Sequence, residues 1–241
     1  MDDGEPTTIP MPPTPAVPRR QWLALALSLS LSLSGGAALL AHGGWAHAAP
    51  AGAEDAVLEL QREWELIKYR APAAERIGRF AALASQAHRS SEQFPNSSPV
   101  LIWEAVIVSS WAEAKDDLGS LELARRAKGL YEAALKIDAN ALGGGAYTGL
   151  AALHYKLPGW PMSFGDEAKA RELLQRALAI NPQGVDPNYY YGELLVETRH
   201  PQDAVAYLER AVQAPARPGR EIGDAGRRDE ARALLDKIRA R

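Results

Sequence analysis

The side chains able to do chemistry are few, and their spacing argues against most of it. Only His88, His154 and His200 follow residue 48, and none has a second histidine one helical turn away, so no metal site is expected. Asp116 and Asp117 are adjacent carboxylates at a helix end and face different directions, so they do not form an acid–base pair. Ser109-Ser110 lack the glycines of a nucleophile elbow. Gly143-Gly144-Gly145 could cradle a phosphate, but no strand precedes them and no Gly-Lys-Ser/Thr follows; a helix-entry turn is the expected role. Arg217, Arg220, Arg227 and Arg228 could draw an acidic partner or a lipid head group, yet Glu221, Asp224 and Asp229 lie among them and favour internal ion pairs. No nucleophile, base and orienting group come together in one motif. The expectation is a protein that binds rather than catalyses, with no cofactor.

Two sets of residues could do the binding. The first is the aromatic run Trp160, Met162 and Phe164, set among prolines and glycines, which could grip a partner or could cover the end of a helical hairpin. The second is a stripe at helical spacing, Tyr189, Glu193 and Glu197, matched by Thr148, Ala152, Tyr155 and Lys156 in the preceding unit. Tyrosine offers contact area and a hydroxyl at low entropic cost, so these stripes could form a peptide- or ligand-binding wall, the alternative being a solvated face. If Tyr191 and Leu195 point to the core, Tyr189 faces the groove. His154 occupies a position that favours an aromatic and is expected to pack or hydrogen-bond.

Helical hairpins must position these residues. Ala170, Leu174 and Ala177 are matched 34 positions later by Ala204, Leu208 and Ala211, and Ala127, Tyr131 and Ala134 repeat the same small-large-small order. Small residues let two helices approach while the large one fills the gap between them. Apolar periodicity predicts helices over 54–70, 72–93, 99–115, 118–137, 146–157, 166–180, 187–198, 202–213 and 227–240. From Ala127 to Ala170 is 43 residues, nine more than the repeat, and the excess falls in the loop from Pro158 to Gly165. The segment 215–226, rich in Pro, Arg and Gly, is expected as a connection to a final helix of mixed charge that caps the stack.

Composition agrees. Hydrophobic residues make up 46% of the 241, but only three are Phe; the content is Ala- and Leu-driven, as in packed helices. A net charge of −3 gives no sign of nucleic-acid binding. Cysteine is absent, which excludes disulfides, thiolate metal sites and a lipidated N-terminal cysteine. Arg19-Arg20, an apolar run from Trp22 to Leu40 and Ala46-His47-Ala48 predict an export signal over 1–48, cleaved near Ala48 and leading to a periplasm. The arginine pair fits a twin-arginine signal or an ordinary dibasic leader, and an uncleaved run would serve as a membrane anchor. A short linker over 49–53 and a helical domain over 54–241 follow.

The repeated Ala-x3-Leu-x2-Ala unit, with Tyr147-x2-Leu150-Ala151-x2-His154 and Tyr191-Gly192-x2-Leu195 before it, resembles the tetratricopeptide repeat. That resemblance implies an all-α stack of helical hairpins, an α-solenoid, with a C-terminal capping helix. Pro158-Gly159-Trp160-Pro161-x-Ser163-Phe164-Gly165-Asp166, with Asn181-Pro182-x-Gly184-x-Asp186-Pro187-Asn188-Tyr189 and Pro218-Gly219-Arg220-Glu221, is similar to the T component of tripartite ATP-independent periplasmic transporters. It implies a periplasmic scaffold that associates with a solute-binding subunit and passes a hydrophobic ligand. The missing cysteine departs from that family's lipoprotein anchor. The expected partners are a protein, or further copies of the chain; the alternative is a carrier or oligomeric pore for a small apolar ligand.

Overall fold

The computed structural model describes residues 52–240 apart from 116 and 118. The export signal and its cleavage site, most of the linker, and Asp116 lie outside the described residues. Within them, nine α-helices follow in order: α1 (Ala53–Arg70), α2 (Ala73–Gln93), α3 (Ser98–Lys115), α4 (Ser120–Ile137), α5 (Ala141–Lys156), α6 (Glu167–Ile180), α7 (Val185–Glu197), α8 (Pro201–Gln213) and α9 (Glu221–Arg239). Each helix packs on the next, and the first eight pair as antiparallel hairpins.

The small-large-small positions explain why the hairpins close. In α4, α6 and α8 all nine of these residues are buried, none more than 2% exposed. Ala170, Ala177, Ala204 and Ala211 bring backbones together where a longer side chain would hold them apart, and Tyr131, Leu174 and Leu208 fill the space between. We expect Ala170→Leu to overpack this contact and cost about 1–3 kcal/mol. Far-UV circular dichroism would keep its helical shape while the melting midpoint falls; an unmoved midpoint would mean that Ala170 has room it does not show.

Helix α3 is the centre. It is apolar around its circumference, with Val100, Ile102, Trp103, Ala105, Ile107 and Val108 all buried. It packs on α1, α2, α4 and α5. One of its charges is buried among them. Glu104 is buried and accepts from Arg126 Nη2 at 2.5 Å, from Ser91 Oγ and from His88 Nδ1 at 3.2 Å, tying α2, α3 and α4 together. Two boundaries differ from the sequence reading. Helix α5 opens at Ala141, with Leu142, Gly143 and Gly144 in left-handed backbone (φ 48, 62 and 77) before regular helix begins, so the glycines do form an entry turn. Helix α9 opens at Glu221, inside the stretch expected as a connection. Gly223 and Gly226 read as breakers there, but on the helix they form the face set against α1. A Cβ on Gly223 would run into the Glu65 carboxylate, and one on Gly226 into the Tyr69 ring.

That contact changes the architecture. The odd-numbered helices pack in sequence, α1 on α3, α3 on α5, α5 on α7 and α7 on α9, and α9 then returns to α1. The last helix was expected as a cap on an open stack. It also closes the inner row into a ring.

Candidate functional site, a cavity ringed by five helices

The ring surrounds a cavity of about 630 Å³ that is partly open to solvent, with lining residues from each of the five inner helices and from α4. One wall is apolar: Ile102, Trp103 and Val106 of α3, Leu153 of α5 and Leu157 just beyond it. Another part of the lining is charged. It comes from Asp186 and Tyr190 of α7, Arg227 of α9, and Arg217 and Arg220 in the segment before α9. Lys156 and Glu113, both largely exposed, lie with Leu142 where the lining reaches solvent.

The charged wall is ordered by ion pairs. Arg217 donates from Nε to Asp224 at 2.8 Å and from Nη1 to Asp186 at 2.7 Å. Arg227 donates to Asp186 at 3.1 Å, to Glu230 at 2.5 Å and to the Tyr190 hydroxyl at 3.0 Å. Its guanidinium lies over both the Tyr189 and Tyr190 rings, at 4.5 and 4.6 Å from their centroids. Burial would raise the pKa of Asp186, but Arg217, Arg227 and Arg220 outweigh it and hold the carboxyl far below its ordinary range. Arg220 closes the ring. Its Nε pairs with the buried Glu65 of α1, and beside it Gln61 Nε2 donates to the Gly219 carbonyl at 3.2 Å. Of the pairing expected with the interleaved acids, Arg217–Asp224 is present, whereas Arg220 pairs with Glu65 of α1 and Arg227 with Asp186 of α7 and with Glu230.

The residues singled out from the sequence divide into three groups. Thr148 and Lys156 line the cavity, and Thr148 is buried with its hydroxyl donating to the Gly144 carbonyl at 3.3 Å. Tyr155, Tyr189 and Glu193 meet, but as an internal cluster. Both hydroxyls donate to Glu193, Tyr189 at 2.7 Å, and Lys156 Nζ adds a 3.1 Å ion pair, joining α5 to α7. Burial alone would raise the pKa of Glu193; Lys156 and the two hydroxyls reverse this and keep it lowered. Both tyrosines are pushed above their ordinary range, first by burial and then by Glu193. Tyr189 is only 6% exposed and packs under Arg227, which corrects the expectation that it faces an open groove. Glu197 is exposed in the last turn of α7 and does not line the cavity.

The inserted loop forms the third group, and its aromatics separate. Trp160 and Met162 stand out at 89% and 67% exposure. Phe164 turns inward, edge-on to the His154 ring at 5.5 Å, with Lys128 Nζ 5.7 Å from its centroid. Trp160 and Phe164 therefore do not share one gripping surface. The neck of the loop is fixed by Gly165 N–H on the Pro158 carbonyl at 3.0 Å and Asp166 N–H on the His154 carbonyl at 2.8 Å. His154 packs as expected, and burial first, then Lys128, lowers its pKa and favours the neutral ring.

Sequence reasoning passed over Tyr190, Trp64, Trp103 and Asp186 as site residues. On α7 the stripe was traced from Tyr189, and Tyr190 is its immediate neighbour. Trp64 is also a core residue, and its indole N–H donates to Ser110 Oγ at 2.7 Å. The useful signal was the basic cluster at 217–227, whose anionic partners lie in α1, α7 and α9.

Residues 162–218 match the tetratricopeptide repeat family. No curated protein sequence matches the chain. Among solved structures, a thermophilic TPR protein of Thermus thermophilus is 19% identical and superposes with a TM-score of 0.52, covering 78% of this chain and 90% of that one. MamA is 18% identical with a TM-score of 0.38, covering 70% and 94% respectively. At these identities the first likeness concerns the fold alone, and the second carries no argument. The matched segment holds α6, α7 and α8, and the hairpins before it follow the same plan. The described chain is thus an all-α, tetratricopeptide-like stack of helical hairpins, a fold of interaction scaffolds, closed on itself around an interior cavity.

Proposed function

We propose that the protein is an exported, non-enzymatic binding protein whose ring of inner helices holds a small, largely apolar molecule. The observation that carries this reading is the closure of α9 onto α1. An open stack offers a long concave groove to a peptide; here Arg220–Glu65 and Gln61–Gly219 bridge the groove, and a cavity of about 630 Å³ remains. Cavities of about 300–1,000 Å³ with an apolar lining and a few placed polar groups suit small ligands. The predicted export signal and the resemblance to periplasmic transporter components support a place in the periplasm, as carrier or accessory subunit of a solute uptake system.

The test is to fill the space. Ala152 lines the cavity on α5 and is partly exposed, so Ala152→Trp occupies volume without displacing a buried side chain. Native mass spectrometry of the protein purified from its own periplasm should show a retained ligand on wild type. The variant should be bare, with an unchanged helical spectrum. Equal ligand content in both would sink the cavity reading.

A second reading, docking to a protein partner such as a solute-binding subunit, rests on the exposed Trp160 and Met162. Exposed tryptophan on a fixed loop is the composition of an interface hot spot. Trp160→Ala with Met162→Ala would then abolish pull-down of that partner while leaving ligand content unchanged.

A further inference from the structure

The cavity has an address for one particular chemistry, and it lies where hydrogen-bond donors have been left over. Of the charged groups that line it, Lys156, Arg217, Arg220 and Arg227 are cations, and Glu113 and Asp186 are the anions. The other carboxylates that hold these cations, Glu65, Asp224, Glu230 and Glu193, are not part of the lining. Arg217 and Arg227 are fully engaged, each using three guanidinium nitrogens on described partners. Arg220 is different. Its side chain is only 15% exposed and its Nε pairs with Glu65, but its two terminal nitrogens have no acceptor among the described residues.

The same place holds a second unused donor. The Arg220 guanidinium sits 5.1 Å from the centre of the Trp103 ring. Trp103 is 4% exposed and lines the cavity, and its indole N–H has no partner among the described residues. The contrast with Trp64 is informative, because that N–H is satisfied by Ser110. A buried donor without an acceptor is costly, and native proteins rarely leave one unless something else supplies the acceptor. Here a guanidinium fork lies against a tryptophan whose indole N–H is unpaired, next to apolar lining residues.

We propose that Arg220 and Trp103 form the head-group subsite for an anionic amphiphile, a carboxylate or phosphate monoester on an alkyl chain. The head accepts from the Arg220 fork and the Trp103 N–H, and the chain lies along Ile102, Val106, Leu153 and Leu157. A planar fork suits two-oxygen anions better than an ammonium does. The proposal rests on the cavity being a small-molecule site, as argued above, and adds the chemistry of the occupant. The head group also sits against the Arg220–Glu65 pair that closes the ring, so ligand binding and ring closure share a residue.

The experiment measures displacement of the fluorescent probe N-phenyl-1-naphthylamine from the delipidated full chain by dodecanoate, dodecyl phosphate and dodecanol. Both anions should bind about tenfold to a hundredfold more tightly than the alcohol, as charge-assisted hydrogen bonds to a buried site allow. The stronger of the two identifies the head group. Arg220→Lys leaves Glu65 with a cation but removes the fork, and should erase most of that preference while dodecanol binds as before. Trp103→Phe keeps a ring against the guanidinium, removes only the N–H, and should narrow the preference by a few-fold. If the lysine variant fails to fold, the head-group series on wild type and Trp103→Phe decide the matter. Equal affinity of dodecanol and both anions for wild type would overturn the head-group assignment and leave the cavity reading standing. If neither probe nor amphiphile bound, both would fall.

Discussion

Asp186→Ala should destabilise the fold by about 3–5 kcal/mol, the cost of taking a partner from the buried Arg227. For a chain of this size that is a drop on the order of 10 °C in melting midpoint. The carboxylate accepts from Arg217 and from Arg227, and so bolts α7 to α9 and to the segment before it. Arg227 is the more exposed to the loss. Its side chain is 7% accessible, and without Asp186 it keeps only Glu230 and the Tyr190 hydroxyl. Since α9 also closes the ring against α1, the damage should extend to the cavity. Asp186→Asn, which keeps the shape and one acceptor oxygen, should lose less. Thermal melts of the three proteins at neutral pH check the order.

The same group makes stability depend on acid. Three arginines hold the folded pKa of Asp186 below its unfolded value, against the upward push of burial. Between the two values the folded state binds fewer protons than the unfolded state, so stability rises with pH. The contribution is complete above the ordinary carboxylate range, near pH 4, and is lost as pH falls towards the folded pKa. Glu193, also lowered, acts in the same direction. Wild type should thus lose stability steeply on acidification from about pH 5. Asp186→Ala, already without the pairing, should show a shallower slope. Parallel slopes would mean that the acid sensitivity arises elsewhere.

The repeat was legible because it is local. Ala170, Leu174 and Ala177 announce a helix that packs closely, and Ala204, Leu208 and Ala211 announce it again; all six are buried. Even the inserted loop and the entry turn at Gly143 and Gly144 could be placed, since both interrupt a period. What sequence could not supply was the closure. Glu65 and Arg220 are 155 positions apart, and nothing near either one names the other. Without closure an inner row of helices reads as an open concave wall, and a tyrosine on it reads as exposed. The glycines at 223 and 226 misled in the same way: as local signals they break a helix, whereas against α1 they let one approach. The register error on α7 has a similar root. Tyr189, Tyr190 and Tyr191 are consecutive, and the choice of which one faces the interior depends on Arg227, which reaches them from another helix.

Tyr189→Ala is the variant on which these two pictures disagree most. As a groove-facing surface residue, Tyr189 could be truncated with a stability change within about 0.5 kcal/mol. In the structure its ring lies edge-on to Tyr190 at 5.1 Å, supports the Arg227 guanidinium at 4.5 Å, and sends its hydroxyl to Glu193 at 2.7 Å. Truncation leaves a cavity the size of an aromatic ring, for which losses of about 3–5 kcal/mol are usual. It also removes the aromatic face under a buried cation. Tyr189→Phe separates these effects: the ring and the cation contact remain, and only the hydrogen bond to a carboxylate is lost, a matter of about 1.5–3 kcal/mol. The expected order in denaturant midpoint is wild type, then Tyr189→Phe, then Tyr189→Ala, with the helical spectrum kept in each. If Tyr189→Ala were as stable as wild type and failed to bind its ligand or partner, the tyrosine would be a contact residue of an open groove. The closed ring would then be the wrong frame for the site. If instead stability falls as expected, Tyr189 acts by holding Arg227 in place, and Tyr190 is the α7 side chain whose replacement should be read in binding.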